Sequence, residues 1–203
     1  MSVIQTIEEL EAVYGTPREA SLVKEIDFLS DGYRAFVEAA PFAVLATVGP
    51  EGLDCSPRGD GPGFLRIVDE RTLVLPDRRG NNRVDSLRNV VRDPRVALLL
   101  MVPGSGSTLR INGQARVDTD PDLLASFEVA GKQPRSVLVI RIEAVYFQCS
   151  RAIMRAKLWD PSAQHDPKSL PSAGTMLAEL TDGRVGGKAY DEAWPKRAKE
   201  SLW

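Results

Sequence analysis

Apolar positions change their period along the chain. Up to Pro41 they recur at helical spacing. Thr6 followed by Glu9, and Thr16-Pro17 followed by Glu19, have the form of capping boxes, in which a hydroxyl takes an orphan amide while the carboxylate reaches back. A first helix is predicted to end near Gly15. A second carries Leu22, Val23 and Ile26 on one face, and a third from Ser30 buries Tyr33, Phe36 and Val37 before Pro41 stops it.

Beyond Pro41 the pattern becomes that of strands. Phe42 to Val48 is a compact β-type run closed by Gly49-Pro50-Glu51-Gly52. Further strands are predicted at Leu53 to Arg58, Phe64 to Val68, Thr72 to Leu75, Val96 to Val102, Thr108 to Val117 and Val137 to Phe147. Two helices interrupt them. One runs from about Arg83 to Arg92 and is terminated by Asp93-Pro94; the other is opened by Asp120-Pro121 and turns Leu123, Leu124 and Phe127 inward. Short links favour antiparallel pairing, and strands closing on themselves beside a few helices point to a barrel-centred α+β domain. Trp159 to Pro171 reads as a surface excursion, followed by a helical stretch around Ser172 to Leu180 and a charged tail to Trp203.

Length and charge narrow the classes. A chain of 203 residues suits one core, so the expectation is a single domain over 1–203, with a helical extension over 1–40, the barrel over 41–159 and a C-terminal excursion and helix over 160–203. A formal charge of −2 offers no broad positive field for nucleic acid. Apolar runs such as Val96 to Pro103 are too short to span a bilayer. Cys55 and Cys149 stand apart without a CxxC partner, which fits a reducing compartment, and the expected location is cytoplasmic. His165 is the one histidine, too few for a multi-histidine metal site and poorly placed for a His-based triad, so no metal is expected. Neither a Walker sequence nor a GxGxxG turn occurs. Such scarcity of acid–base groups suits a protein whose cofactor performs the reaction.

Three segments could carry a ligand. Asp77-Arg-Arg-Gly-Asn-Asn-Arg83 leaves a strand and enters a helix, so helix N-terminal amides and guanidinium groups can converge on one dianion; alone, such a turn is more often a solvated surface loop. Asp54 to Gly63 is dense in Gly and Pro, which lets backbone approach a flat ligand and equally makes an irregular edge strand. Cys149 to Trp159 is basic and partly apolar. It could add cations across a dimer interface, or form a surface helix with Ile153, Met154 and Leu158 packed inward.

Taken in order, Ala46-Thr47-Val48, the cofactor-lining strand, the basic turn, Asp93-Pro94-Arg95-Val96 and the strand Leu109 to Val117 resemble the pyridoxamine 5'-phosphate oxidase-like family of FMN-binding split barrels. The resemblance implies an antiparallel split β-barrel with flanking helices, FMN as cofactor, an oxidoreductase acting on a small molecule, and a homodimer with cofactor sites at the interface. Carried over by position, Asn82 and Arg83 fall on the family's phosphate-binding pair, with Arg79 beside them. Ser56, Arg58, Gly59 and Asp60 fall on the strand that runs along the flavin ring. The C-terminal segment Ala193 to Trp203 lacks the Trp- and Arg-containing substrate motif of the vitamin B6 oxidases, which implies another branch of the family. Two other cofactor readings stay open on the same barrel: a non-catalytic flavin- or haem-binding module, and a deazaflavin-dependent reductase.

Overall fold

The computed structural model describes residues 3–202. Seven antiparallel strands form one sheet in the order β2-β1-β5-β6-β7-β4-β3. They are β1 (Phe42–Gly49), β2 (Gly52–Gly59), β3 (Arg66–Asp69), β4 (Thr72–Pro76), β5 (Arg95–Met101), β6 (Thr108–Asp118) and β7 (Val137–Gln148). The period-two pattern turns Ala43, Leu45 and Thr47 of β1, and Val96, Leu98 and Leu100 of β5, onto the inner face. There they meet Leu73, Leu75, Leu109, Ile111, Leu138 and Ile140 in one core, which is the α+β split barrel expected from the sequence.

Eight α-helices occur among the described residues, of which α3, α4 and α5 pack on the sheet: α1 (Ile7–Tyr14), α2 (Glu19–Leu22), α3 (Asp31–Ala39), α4 (Asp85–Arg92), α5 (Pro121–Ala125), α6 (Arg151–Ala156), α7 (Ala173–Leu180) and α8 (Gly187–Ser201). Thr6 caps α1 as predicted, accepting from the Glu9 amide, and Gly15 ends it at φ 68°. Ser30 caps α3, whose Val37 is fully buried. Asp120 caps α5, which lays Leu123, Leu124 and Phe127 against Val74, Val137 and Val139.

Three expectations need correction. The Thr16 capping box does not form: α2 is a single turn whose N-cap is Arg18, without a side-chain bond. Leu22 and Val23 are 58% and 65% exposed, so no buried face supports a longer helix there. Ile26 instead bridges to Val145 as a strand-like residue. The C-terminal tail also proves helical, since α8 packs against α7 where Gly174 is buried and its amide donates to Asp191 Oδ1 at 2.8 Å. Pro195 lies within α8, against the usual bias.

Two close contacts set the geometry around the site. Asn89 of α4 donates from Nδ2 to Thr47 Oγ1 of β1 at 3.1 Å, and both side chains are buried. That bond pins α4 over the first strand. Between β6 and β7 the register shifts at Asn112/Gly113. A Cβ on Gly113 would collide with the Arg141 carbonyl.

Candidate functional site

β4 leaves the barrel at Pro76, and the turn that follows is held by Asp77 N donating to Ser136 O at 3.0 Å. Asn82 (φ 61°) and Val84 (φ 53°) both adopt the left-handed conformation, which costs a β-branched valine more than an asparagine. Val84 is also the N-cap of α4, and no side chain bonds the free amides of that helix from this position. The turn faces β2, the terminal strand of the sheet, whose outer edge pairs with no strand among the described residues. Between them lies a cleft of about 630 Å³, lined by Asp54, Ser56, Pro57 and Arg58 of β2 and by Asp77, Arg78, Asn82, Arg83 and Ser86.

Charges in the cleft are mostly matched. Arg58 Nη1 bonds Asp77 Oδ1 at 2.9 Å, with about a fifth of each side chain exposed (21% and 22%). Its Nε is buried without a hydrogen-bond partner, an orphaned donor in the wall of the cleft. Arg78 Nε bonds Asp60 Oδ2 at 2.8 Å and its Nη1 reaches Phe127 O at 2.7 Å. Arg83, 75% exposed, turns its Nε to Asp85 Oδ2 at 2.8 Å. Between β2 and α4, Ser56 Oγ lies 3.0 Å from Ser86 Oγ, which donates to Asp54 Oδ2 at 2.7 Å.

Of the residues predicted from the sequence, Ser56, Arg58, Asn82 and Arg83 line this one cleft. Gly59 and Arg79 line a smaller hollow beside it, and Arg79 also lines a third with Gln133 and Arg135. Asp60 holds Arg78 and borders none of these spaces. The helix begins at Asp85 rather than at Arg83, because Asn82 and Val84 take left-handed angles that a helix cannot include. Asp54, Ser86 and Arg135 were not singled out by sequence. Asp54 and Ser56 share a strand face at period two, and Ser86 sits in the first turn of α4, so patterning could have found them. Arg135 approaches from a loop distant in sequence, and only the fold brings it to Asn82, whose Oδ1 accepts from Arg135 Nη1 at 3.5 Å.

The third candidate segment lies elsewhere. α6 is a surface helix, but Met154 and Leu158 are 68% and 43% exposed rather than packed inward, because the helix stops at Lys157 in a left-handed C-cap after less than two turns. Trp159 Nε1 anchors the segment by donating to Ser105 O at 2.7 Å. The Arg151 amide beside Cys149 holds that exposed thiol below its ordinary pKa. Among the described residues no group of His, Cys, Asp and Glu could hold a metal ion, and no helix is long and apolar enough to cross a membrane.

Comparison with known proteins places the chain. HupZ of Group A Streptococcus aligns at 15% identity over 60% of this chain and 95% of that one, with a TM-score of 0.49. A pyridoxamine 5'-phosphate oxidase-like protein of Lactobacillus delbrueckii aligns at 21% identity over 60% and 95%, with a TM-score of 0.48. One from Listeria innocua aligns at 20% identity over 58% and 95%, with a TM-score of 0.44. No curated protein matches the sequence. The sequence profile of pyridoxamine 5'-phosphate oxidase, however, matches residues 29–149, which run from the start of α3 to the end of the barrel and include every residue of the cleft. With more than half of its length so matched, the chain belongs to the pyridoxamine 5'-phosphate oxidase family, whose members are flavin-type oxidoreductases and generally dimers.

Proposed function

We propose that this chain is an FMN-dependent oxidoreductase that works as a homodimer, with FMN in the cleft between β2 and the turn before α4. The observation that carries the reading is the convergence of an uncapped helix N-terminus with a strand edge across one cleft of about 630 Å³. That size falls within the range of about 300–1,000 Å³ common to cofactor sites. A phosphate at the turn would meet the free amides of α4, the Asn82 side chain and the Arg83 guanidinium, with Arg79 adding to the local positive field. The edge of β2 from Ser56 to Arg58, with Gly59 in the adjoining hollow and Asp60 acting through its bond to Arg78, would lie along the ring, and the buried Arg58 Nε is a donor still lacking an acceptor. FMN, when bound, supplies the electron and hydride chemistry that no side chain here provides. The chain's part is to hold the phosphate, orient the ring and set the hydrogen bonds at its edge.

An apolar outer face supports the second copy. Leu53 is 88% exposed, and a shallow hollow beside it is lined by Ala46, Val48 and Ala97. A contiguous patch of this kind on the face of a sheet calls for cover, and a second copy of the same strands would bury it. The substrate is a small molecule with access to the cleft, the compartment is the cytoplasm, and the three segments over 1–203 act as one domain.

Purification without added cofactor, followed by a visible absorption spectrum, tests the central reading. A yellow protein with flavin bands, or a colourless one that takes up FMN stoichiometrically, is the expected result. A colourless preparation that fails to bind FMN overturns it. Reduction of the loaded protein by NADH or NADPH, with reoxidation by candidate acceptors, then separates an enzyme from a binding module.

A further inference from the structure

The N-terminal arm stands clear of the barrel. Every residue from Val3 to Val23 is exposed, and the chain is first tied down at Lys24, whose Nζ donates to Phe147 O at 2.9 Å, and at Ile26, which pairs with Val145. Within the arm α1 has only eight residues, and an isolated helix shorter than about 12–15 residues is marginal in water. Its Ile7, Leu10 and Tyr14 nonetheless fall on one stripe with Val13 beside them, and they are 65%, 40%, 79% and 67% exposed in that order. Glu9 flanks the stripe on one side and Glu8 and Glu11 on the other, and no lysine or arginine precedes Arg18. The helix thus presents an apolar, acidic face that the described residues of its own chain leave open.

A second short helix carries the opposite charge. From Cys149 to Trp159 the chain holds Arg151, Arg155 and Lys157 and no acidic residue. In α6 Ile153 is half-buried, whereas Arg151, Met154 and Arg155, at spacings of three and four, are exposed neighbours on one surface, and Leu158 adds exposed apolar area just past the C-cap. The bond from Trp159 Nε1 to Ser105 O fixes this segment to the barrel. None of these three cations, and none of Glu8, Glu9 and Glu11, forms an ion pair among the described residues. Two short helices of one chain therefore expose apolar side chains framed by unmatched charge of opposite sign.

We propose that α1 of one copy docks on α6 of a second copy, so that two exchanged arms clasp the homodimer. The inference rests on the homodimer reading and adds to it a contact outside the barrel, since α1 and α6 both lie beyond residues 29–149. A twofold axis closes both open faces at once, because α1 of each copy meets α6 of the other. Opposite charge steers the encounter and sets its register, while Ile7, Leu10 and Tyr14 leave water against Met154 and Leu158. Met154 suits such a contact, since an unbranched thioether adapts to the surface it meets. A lipid surface is the poorer occupant: a helix lying on a membrane draws on lysine and arginine to meet anionic headgroups, and α1 has neither.

The test is zero-length carbodiimide coupling of the full-length protein, prepared as a mixture in which isotope-labelled and unlabelled subunits have exchanged, and read by mass spectrometry. Carbodiimide joins a carboxylate to an adjacent lysine, so it should link Glu8, Glu9 or Glu11 to Lys157, with labelled chains joined to unlabelled ones. Sedimentation equilibrium alongside reads the dimer dissociation constant. Glu8→Lys with Glu11→Lys, and Arg151→Glu with Arg155→Glu, are each expected to weaken the dimer roughly tenfold or more, because like charges set together across an interface are costly. Combining all these reversals should restore most of the loss. The proposal falls if the links to Lys157 join residues of one chain only, which seats the arm on its own α6, or if the combined variant dimerises no more tightly than its parents. It falls equally if no such link forms while vesicles of phosphatidylcholine and phosphatidylserine bind the wild-type protein and not the Glu8→Lys, Glu11→Lys variant, which gives the helix to a lipid surface. A dimer that persists without mixed links removes the exchanged arm and leaves the homodimer reading standing. A protein that sediments as a monomer at every concentration removes both.

Discussion

Asn89 donates to Thr47 through a buried hydrogen bond of 3.1 Å, and this contact joins the helix behind the candidate site to the first strand of the barrel. Thr47→Val keeps the side chain's volume but removes the acceptor, leaving the Asn89 amide buried without a partner. A loss of about 1–3 kcal/mol is expected for such an orphaned group, read as a lower urea midpoint with an unchanged slope. A double-mutant cycle with Asn89→Ala should show coupling between the two positions; strictly additive losses would mean that the bond contributes nothing of its own.

The barrel was legible in the sequence because its strands obey one physical rule. Ala43, Leu45 and Thr47, or Val96, Leu98 and Leu100, alternate with residues that face outward, and this period-two pattern survives any detail of tertiary packing. Helix ends with a hydroxyl or carboxylate cap, at Thr6, Ser30 and Asp120, were equally plain. The failures came where local signals had no burial behind them: Thr16-Pro17 offers a cap, but Leu22 and Val23 have nothing to pack on. α8 was obscured by its charge and by Pro195, since its stability comes from the approach of α7 at Gly174. At the site, the turn from Arg79 to Arg83 is contiguous and could be read directly. Arg135 could not, because its approach to Asn82 depends on the pairing of β4 with β7.

Arg83 and Asp85 compete with any phosphate for each other. Their bond of 2.8 Å lies at the surface, where an ion pair stabilises little, so a dianion should displace the carboxylate readily. Arg83→Ala is expected to weaken FMN by about 1.5–3 kcal/mol while leaving riboflavin, which lacks the phosphate, nearly unaffected. Asp85→Asn should act in the opposite direction and tighten FMN modestly. Flavin fluorescence titrations with both ligands read the two effects; equal loss of FMN and riboflavin in Arg83→Ala would remove Arg83 from the phosphate grip.

Gly113 has no room for a side chain. A Cβ there would collide with the Arg141 carbonyl at the point where β6 and β7 change register, and the obstacle is backbone held within the ladder. Gly113→Ala is therefore expected to destabilise the fold by about 1–3 kcal/mol through forced overpacking, visible as a lower thermal midpoint. Gly32→Ala, at an open position in α3, supplies the control and should match or slightly exceed the wild type. Equal behaviour of the two variants would show that the register shift relaxes at no cost.

Asp93 ends α4 and accepts from Arg95 twice over, from the guanidinium at 2.6 Å and from the backbone amide at 3.0 Å. The guanidinium bond is the larger cause and the amide the next, and together they lower the carboxyl from 3.8 to about 2. A folded-state pKa below the unfolded value means that the contribution to stability is complete above about pH 4 and is lost as the pH falls through about 2. Arg95→Gln removes the leading cause, so the carboxyl should titrate closer to 3.8 while the backbone bond keeps it somewhat below. Carbon-detected NMR of the Asp93 carboxyl across that range reads the shift directly. An unchanged titration in Arg95→Gln would assign the depression to the helix end and its amides. The acid limb of unfolding should then begin at a higher pH in the variant than in the wild type only if the guanidinium is the cause.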